Sequence, residues 1–251
     1  MSEVWRAHAP ERLAGRLAPV ADELVERLAP GPGDRLLDLA AGTGEVAVRA
    51  AQRGATVTAI DAAEPLLEQA RRAAAAAGVD VHFDLGDVEY LPYEDACFDV
   101  LVSNFGLIFA PDHANVAAEL ARVSCEGARL GFSAWKPNPK LAALYRRFSE
   151  EPVDGREMFE WGREDHVESM LGEDFDLDLQ DGKLWIEADS GEAVWELAST
   201  SAPPVLDLVR RLDEDSVNEL HRAFVETFEG YRDGAAIRAP RRYLIVLGRR
   251  R

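Results

Sequence analysis

The stretch "LLDLAAGTGEVAVRAA" (residues 36–51) decides how the rest of the chain is read. Leu36, Leu37 and Leu39 form an apolar run short enough for a buried strand, Gly42 and Gly44 supply a turn, and an alanine-rich helical segment starts at Glu45. Glycines between a strand and a helix let the backbone approach a ligand closely. The helix N-terminus beyond them offers free N–H groups and a partial positive charge. The turn therefore predicts a bound ligand with an anionic end near Glu45.

Outward from this turn the chain alternates. "TVTAID" (56–61) reads as a second strand, and Glu64 to Ala77 as a helix closed by Gly78. "VHFDLGD" (81–87), "FDVLVSNFG" (98–106) and "ARLGFSAW" (128–135) read as three more strands, with a helix over Pro111 to Val123. Five strands with intervening helices imply an α/β fold with a doubly wound, mostly parallel sheet, and ligands beyond the carboxyl ends of its strands.

Upstream, Leu13, Leu17, Val20, Leu24 and Leu28 recur at helical intervals and predict two helices over residues 2–29, ended by "APGPGD". Downstream, Pro137 and Pro139 open a helical insertion near 137–171 that would cap the sheet. "FDLDLQDGKLWIEA" (175–188) reads as a strand with a turn at Asp181-Gly182. Helices follow near 191–199 and 203–229, and "RRYLIVLG" (241–248) is a buried closing strand. The expected organisation is N-terminal helices over the cofactor (1–33), a ligand-binding core (34–136), a cap with remaining elements (137–239), and a closing strand with a basic tail (240–251).

A formal charge of -18 would repel a phosphate backbone, which excludes a nucleic-acid substrate. No apolar run is long enough to span a membrane and the start lacks a signal-peptide core, so the chain is expected in the cytoplasm, as a monomer or homodimer. Cys97 and Cys125 have no partner at ligand spacing; they read as small core hydrophobes, with no metal site expected. The terminal arginines Arg241, Arg242 and Arg249 to Arg251 read as a charged strand edge and frayed end.

Asp61, at the end of the second strand, is placed to accept hydrogen bonds from ribose hydroxyls. Gly42-Thr43-Gly44-Glu45-Val46-Ala47 satisfies a Gly-x-Gly-x-x-Ala fingerprint, so a nicotinamide cofactor and S-adenosylmethionine are both open at this point. Three features favour the second. Asp38 would face a pyrophosphate badly but could pair, directly or through water, with the ammonium of a methionine moiety. Asp87 ends the third strand, where an acid can accept from an adenine amino group while Val88 packs the ring. The fourth strand ends at Ser103-Asn104 without the Asn-Pro-Pro-Tyr type of sequence found in amino-methylating DNA enzymes.

On these motifs, with "NFGLIFAPD" and a downstream "GFSAW", residues 35–135 resemble a class I S-adenosylmethionine-dependent methyltransferase. The likeness is to the branch that includes the ubiquinone and menaquinone C-methyltransferases. The resemblance implies a seven-stranded Rossmann-like sheet with an antiparallel last strand. It also implies a cofactor set of Asp38, Ala40, Gly42, Thr43, Gly44, Asp61, Ala62, Leu66, Asp87, Val88, Asn104 and Phe105, and S-adenosylhomocysteine as product. Three departures stand out, one of them Ala41, where cysteine or glycine is frequent. Ala40 occupies a position where many members have glycine, which its methyl tolerates if φ stays negative. Cys125-Glu126-Gly127-Ala128 replaces the usual turn before the fifth strand, at the amino end of the sheet.

Methyl transfer from a sulfonium is an in-line displacement, so the protein mainly aligns the reacting atoms, and a general base is optional. His113 could serve as that base, or be an exposed first-turn residue behind the cap Asp112. Phe105, Phe109 and Trp135 lie at strand ends where an acceptor would bind, Trp161 and Trp5 could complete a lid, and Tyr243 reads as structural. The expected reaction is methylation of an O, N or C nucleophile on a small metabolite. The alternatives are an NAD(P)-dependent oxidoreductase, or a non-catalytic S-adenosylmethionine-binding subunit with the region around Trp135 sealed.

Overall fold

β1 (Arg35–Leu39) is buried along all but its first residue, as expected of a central parallel strand covered on both faces. Around it, a computed structural model describes residues 11–149 and 159–251. β2 (Thr56–Asp61), β3 (His82–Leu85), β4 (Phe98–Asn104) and β5 (Ser124–Trp135) extend the sheet in parallel. β6 (Phe175–Ala188), β7 (Arg232–Asp233) and β8 (Ala236–Arg250) complete it. The order is β3-β2-β1-β4-β5-β8-β6, with the two-residue β7 paired to β8. β8 runs antiparallel to both β5 and β6, so the path holds seven strands as expected and an eighth lies off it. The order reverses between β1 and β4, which places the ligand crevice beyond their carboxyl ends.

The described residues form nine α-helices: α1 (Glu11–Leu28), α2 (Glu45–Gln52), α3 (Glu64–Ala77), α4 (His113–Val123), α5 (Pro139–Arg147), α6 (Glu164–Leu171), α7 (Gly191–Ser201), α8 (Pro203–Arg211) and α9 (Glu214–Glu229). The first helix expected upstream, and Trp5 with it, lie outside the described residues. α1 packs on β4, β5 and α2, and also reaches α7.

Three expectations are corrected. Asp181-Gly182 makes no turn: β6 is continuous and pairs with β8 from Phe175 to Ala188. Gly182 sits opposite Tyr243, and a Cβ there would lie 2.1 Å from the tyrosine ring, so the glycine makes room for an aromatic crossing the strand. The expected helix over 203–229 is two helices, because Asp213 starts α9 afresh by accepting a hydrogen bond from Ser216 N. The basic end is neither edge nor frayed: β8 lies inside the sheet, and Arg250 and Arg251 pair with Asp174 and Asp176 beside β6.

The substituted segment Cys125 to Ala128 is a bulge within β5: the register jumps from Phe98 against Ser124 to Val100 against Arg129. Both cysteines are free and half-buried at the margin of the core, and Cys125 donates to Ala96 O.

Two apolar clusters result. One fills the two faces of the sheet, and contains Leu37, Val102, Phe132 and Trp161. The other joins α5, α7, α8 and α9 to the start of β8, and contains Tyr145, Trp195, Phe224 and Ile237.

Candidate active site

At the switch point two buried carboxylates organise the turn. Asp61 accepts from Gly42 N on one oxygen and from Ala63 N on the other, each at 2.8 Å, and so clamps the glycine turn to the start of α3. Asp38 accepts from Ala47 N at 2.9 Å, in the first turn of α2, and is 1% exposed. Burial raises both carboxyls. Asp38 is pushed up to about 8 by desolvation, opposed by the Ala47 N–H and reinforced by the nearby Asp61. Asp61 rises less because backbone donors on Gly42, Ala63 and Ala62 favour its charged form.

The two glycines of the turn do different work. Both adopt positive φ, +55° at Gly42 and +79° at Gly44. A Cβ on Gly44 would lie 2.8 Å from the Ala70 side chain of α3, so this glycine serves helix packing. A Cβ on Gly42 meets nothing within 4 Å: that side of the turn is open to a ligand.

Ala40 corrects the expectation of negative φ: it stands at +50°, just after β1. An alanine here is strained, by roughly 1 kcal/mol, where glycine would not be. Phe105, just after β4, is at +58°, which is unusual for so bulky a residue. Its N–H donates to Ser133 Oγ at 3.0 Å, the same hydroxyl donates to Asn104 Oδ1, and its ring stacks on Trp135 with centroids 4.0 Å apart. Asp87 accepts from Glu89 N, Val88 is buried, Leu66 is buried on α3, and Thr43 and Ala62 are half-buried beside the turn.

Beyond Trp135 lies a cavity of about 160 Å³ between the sheet edge and the cap. Leu17, Ile108, Phe109 and Trp135 line it from the sheet side, and Tyr145, Val194, Phe224 and Phe228 from the cap. Trp161 is not brought there. It is fully buried against Phe132 and His113, so it serves the main core rather than a lid. His113 is likewise absent from the lining and is buried, not exposed, on the first turn of α4. Its Nδ1 lies 2.9 Å from His166 Nε2, and burial followed by His166 lowers its pKa to about 4. Asp112 does cap α4, accepting from Asn115 N.

Arg241 and Tyr145 also line the cavity; the sequence reading puts Arg241 on a charged strand edge and passes over Tyr145. A signal for Arg241 was present: strand alternation puts it on the same face as Tyr243 and Ile245, which are buried. Tyr145 carried none, because its burial depends on how the cap folds back.

A doubly wound sheet with antiparallel β8, a glycine turn clamped by an acid from β2, and a pocket over the strand ends define the class of small Rossmann-like transferases. A family model described as a methyltransferase domain matches residues 36–127. An uncharacterized protein of Mycobacterium tuberculosis is 31% identical over 223 residues, 86% of this chain and 81% of that one. A demethylmenaquinone methyltransferase of Thermus thermophilus is 41% identical over 110 residues, 43% of this chain and 50% of that one.

Among solved structures, the YcgJ protein of Bacillus subtilis superposes with a TM-score of 0.61 at 18% identity, over 95% of this chain and 99% of that one. Geranyl diphosphate C-methyltransferase of Streptomyces coelicolor, solved with Mg2+, geranyl diphosphate and S-adenosylhomocysteine, gives 0.55 at 18% identity, over 93% and 78%. The chain belongs to the class I S-adenosylmethionine-dependent methyltransferases, on the ubiquinone/menaquinone C-methyltransferase side of that family. It is an enzyme, its cofactor is S-adenosylmethionine, and the nicotinamide reading of the turn falls.

Proposed function

We propose that the chain methylates a small, mostly apolar metabolite enclosed between the carboxyl edge of the sheet and the cap. The observation that carries this reading is the cavity beside Trp135, lined from both apolar clusters and joined to the cofactor end through the Phe105–Trp135 stack. A non-catalytic subunit would have this region sealed. In the same reading residues 1–33 cover the cofactor, 34–136 bind it, 137–239 contribute the acceptor wall, and 240–251 close the sheet.

The residues at the turn fit the cofactor. Gly42 leaves open space where the ligand would lie, and Asp61, which has about four acceptor sites, keeps acceptor capacity beyond its backbone bonds for a ribose hydroxyl. Asp38 would hold the ammonium end and Asp87 the adenine amino group, with Val88 and Leu66 packing the base. Ala40, Thr43, Gly44, Ala62, Asn104 and Phe105 complete the wall. When bound, S-adenosylmethionine supplies a methyl group already activated by its sulfonium.

The chain's own part is to orient the acceptor for in-line approach and to exclude water. Among the described residues the ionisable groups lining the cavity are Arg16, Tyr145 and Arg241, and burial raises the Tyr145 phenol, so any base there would be that tyrosine. His113, absent from the lining, is assigned no catalytic role. The free cysteines suit a reducing compartment, in keeping with a cytoplasmic enzyme. Among the described residues no helix is long and apolar enough to cross a membrane.

Calorimetric titration with S-adenosylhomocysteine tests the cofactor site. The native chain is expected to bind it, and Asp61→Ala to bind about a hundredfold more weakly, because two backbone donors lose a charged acceptor and the turn loosens. Equal binding by both chains would remove Asp61 from the site.

A further inference from the structure

Resting on the proposed acceptor cavity, we infer that the acceptor carries an anionic headgroup on an apolar body, and that Arg241 receives that headgroup beside Trp135. Arg241 stands on β8 opposite Leu184 of β6, and its guanidinium lies over the Trp135 ring, 4.8 Å from the centroid. Its Nη1 is shut off from solvent and has no hydrogen-bond partner among the described residues. A cation resting on an aromatic face still has N–H donors directed outward in its own plane, and these need acceptors. Burial lowers the pKa of Arg241, and the groups opposing that shift are the phenols of Tyr145 and Tyr231, with no carboxylate from the described residues among them.

This lack of a counter-ion is not a shortage of acids. The chain has 46 Asp and Glu against 28 Lys and Arg. Other arginines near the same strand are paired: Arg238 with Glu187, Arg232 with Glu229, Arg250 with Asp174. Yet among the described residues the cavity wall contains no Asp or Glu, and a second arginine, Arg16 on α1, lines it too. A partly desolvated guanidinium without a carboxylate is costly to maintain unless a ligand completes it. A monoanion on an apolar body matches both halves of this wall.

The position adds a specificity argument. Trp135 carries Arg241 on one side and stacks on Phe105 at the end of β4. The headgroup is thus held at the sheet side of the cavity, nearest the cofactor end, while the apolar body extends toward Phe224 and Phe228 of α9. Arg241 acts here as a specificity-determining residue that fixes which end of the acceptor enters first.

The test is calorimetric binding of four probes to the full chain saturated with S-adenosylhomocysteine: octanoate, octyl phosphate, octanol and octylammonium. At least one of the two anions is expected to bind about ten- to hundredfold more tightly than octanol, with octylammonium weakest. Which anion wins identifies the headgroup as carboxylate or phosphate. Arg241→Met should abolish the preference by weakening anion binding while leaving octanol binding within about twofold, and Arg241→Lys should retain part of it. Octanol binding as well as both anions, or an anion preference that survives Arg241→Met, overturns the inference. If Arg241→Met fails to fold, the native probe series and Arg241→Lys still decide. Failure of the native chain to bind S-adenosylhomocysteine would instead strike the cofactor assignment, so the two failures are distinguishable.

Discussion

The cofactor turn and the acceptor cavity lie on either side of the Phe105–Trp135 stack and are built by opposite means. The turn is polar and closely hydrogen-bonded: Asp38 and Asp61 each answer backbone N–H groups contributed by residues 42–63. The cavity is apolar, draws on residues from 16 to 241, and holds a cation whose donors are incompletely met. A site that binds the same ligand in every turnover can be pre-organised by its own backbone. A site that must distinguish acceptors does so through groups left to be completed by the correct one.

Between these regions and the outer helices lies His113, in neither. Its folded pKa is below its unfolded value, so it contributes stability above about pH 6.5 that is lost as pH falls toward 4. The loss is on the order of 3 kcal/mol. Urea midpoints measured across that range should fall steeply for the native chain and less for His113→Phe, with S-adenosylhomocysteine affinity unchanged by the substitution. Loss of cofactor or acceptor binding in His113→Phe would show that His113 belongs to one of the two sites after all.

A smaller effect separates the two glycines within the turn. Gly44→Ala drives a methyl into Ala70 and should destabilise the chain by about 2 kcal/mol, read as a lower urea midpoint. Gly42→Ala has room and should cost only about 1 kcal/mol for its positive φ, yet lower S-adenosylhomocysteine affinity about tenfold or more by occupying the ligand's side. If Gly42→Ala binds the cofactor like the native chain, the open side of the turn is not where the ligand lies.

The smallest expected change is a gain. Ala40→Gly relieves a left-handed alanine and should raise stability by up to about 1 kcal/mol, seen as a higher thermal midpoint, while leaving the polar contacts of the turn in place. A decrease would mean that the Ala40 methyl packs usefully enough to outweigh its backbone strain.

Much of the cofactor half was legible because its determinants are local. A strand, two glycines, an acid at the end of each of the next strands and a helix start all fall within short spans whose patterns reflect backbone preferences. The failures came where a local pattern had a remote cause. Asp181-Gly182 has the composition of a turn, yet Gly182 is there for the Tyr243 ring, 61 residues later. Trp161 and His113 read as site residues by type, but the packing of α4 and α6 on the sheet buried them in each other's company.

By itself the sequence determined the alternation of strands and helices, the glycine turn with its flanking acids, and hence the methyltransferase class, since each depends on residues close along the chain. Only the tertiary structure decided that Ala40 and Phe105 take left-handed backbones, that β8 lies inside the sheet, and that Arg241 faces an apolar cavity to which the described residues bring no carboxylate. These depend on long-range register and on which side chains from distant segments exclude water together. Period-two and period-3.6 patterns show which face of an element is buried, and leave open what it is buried against.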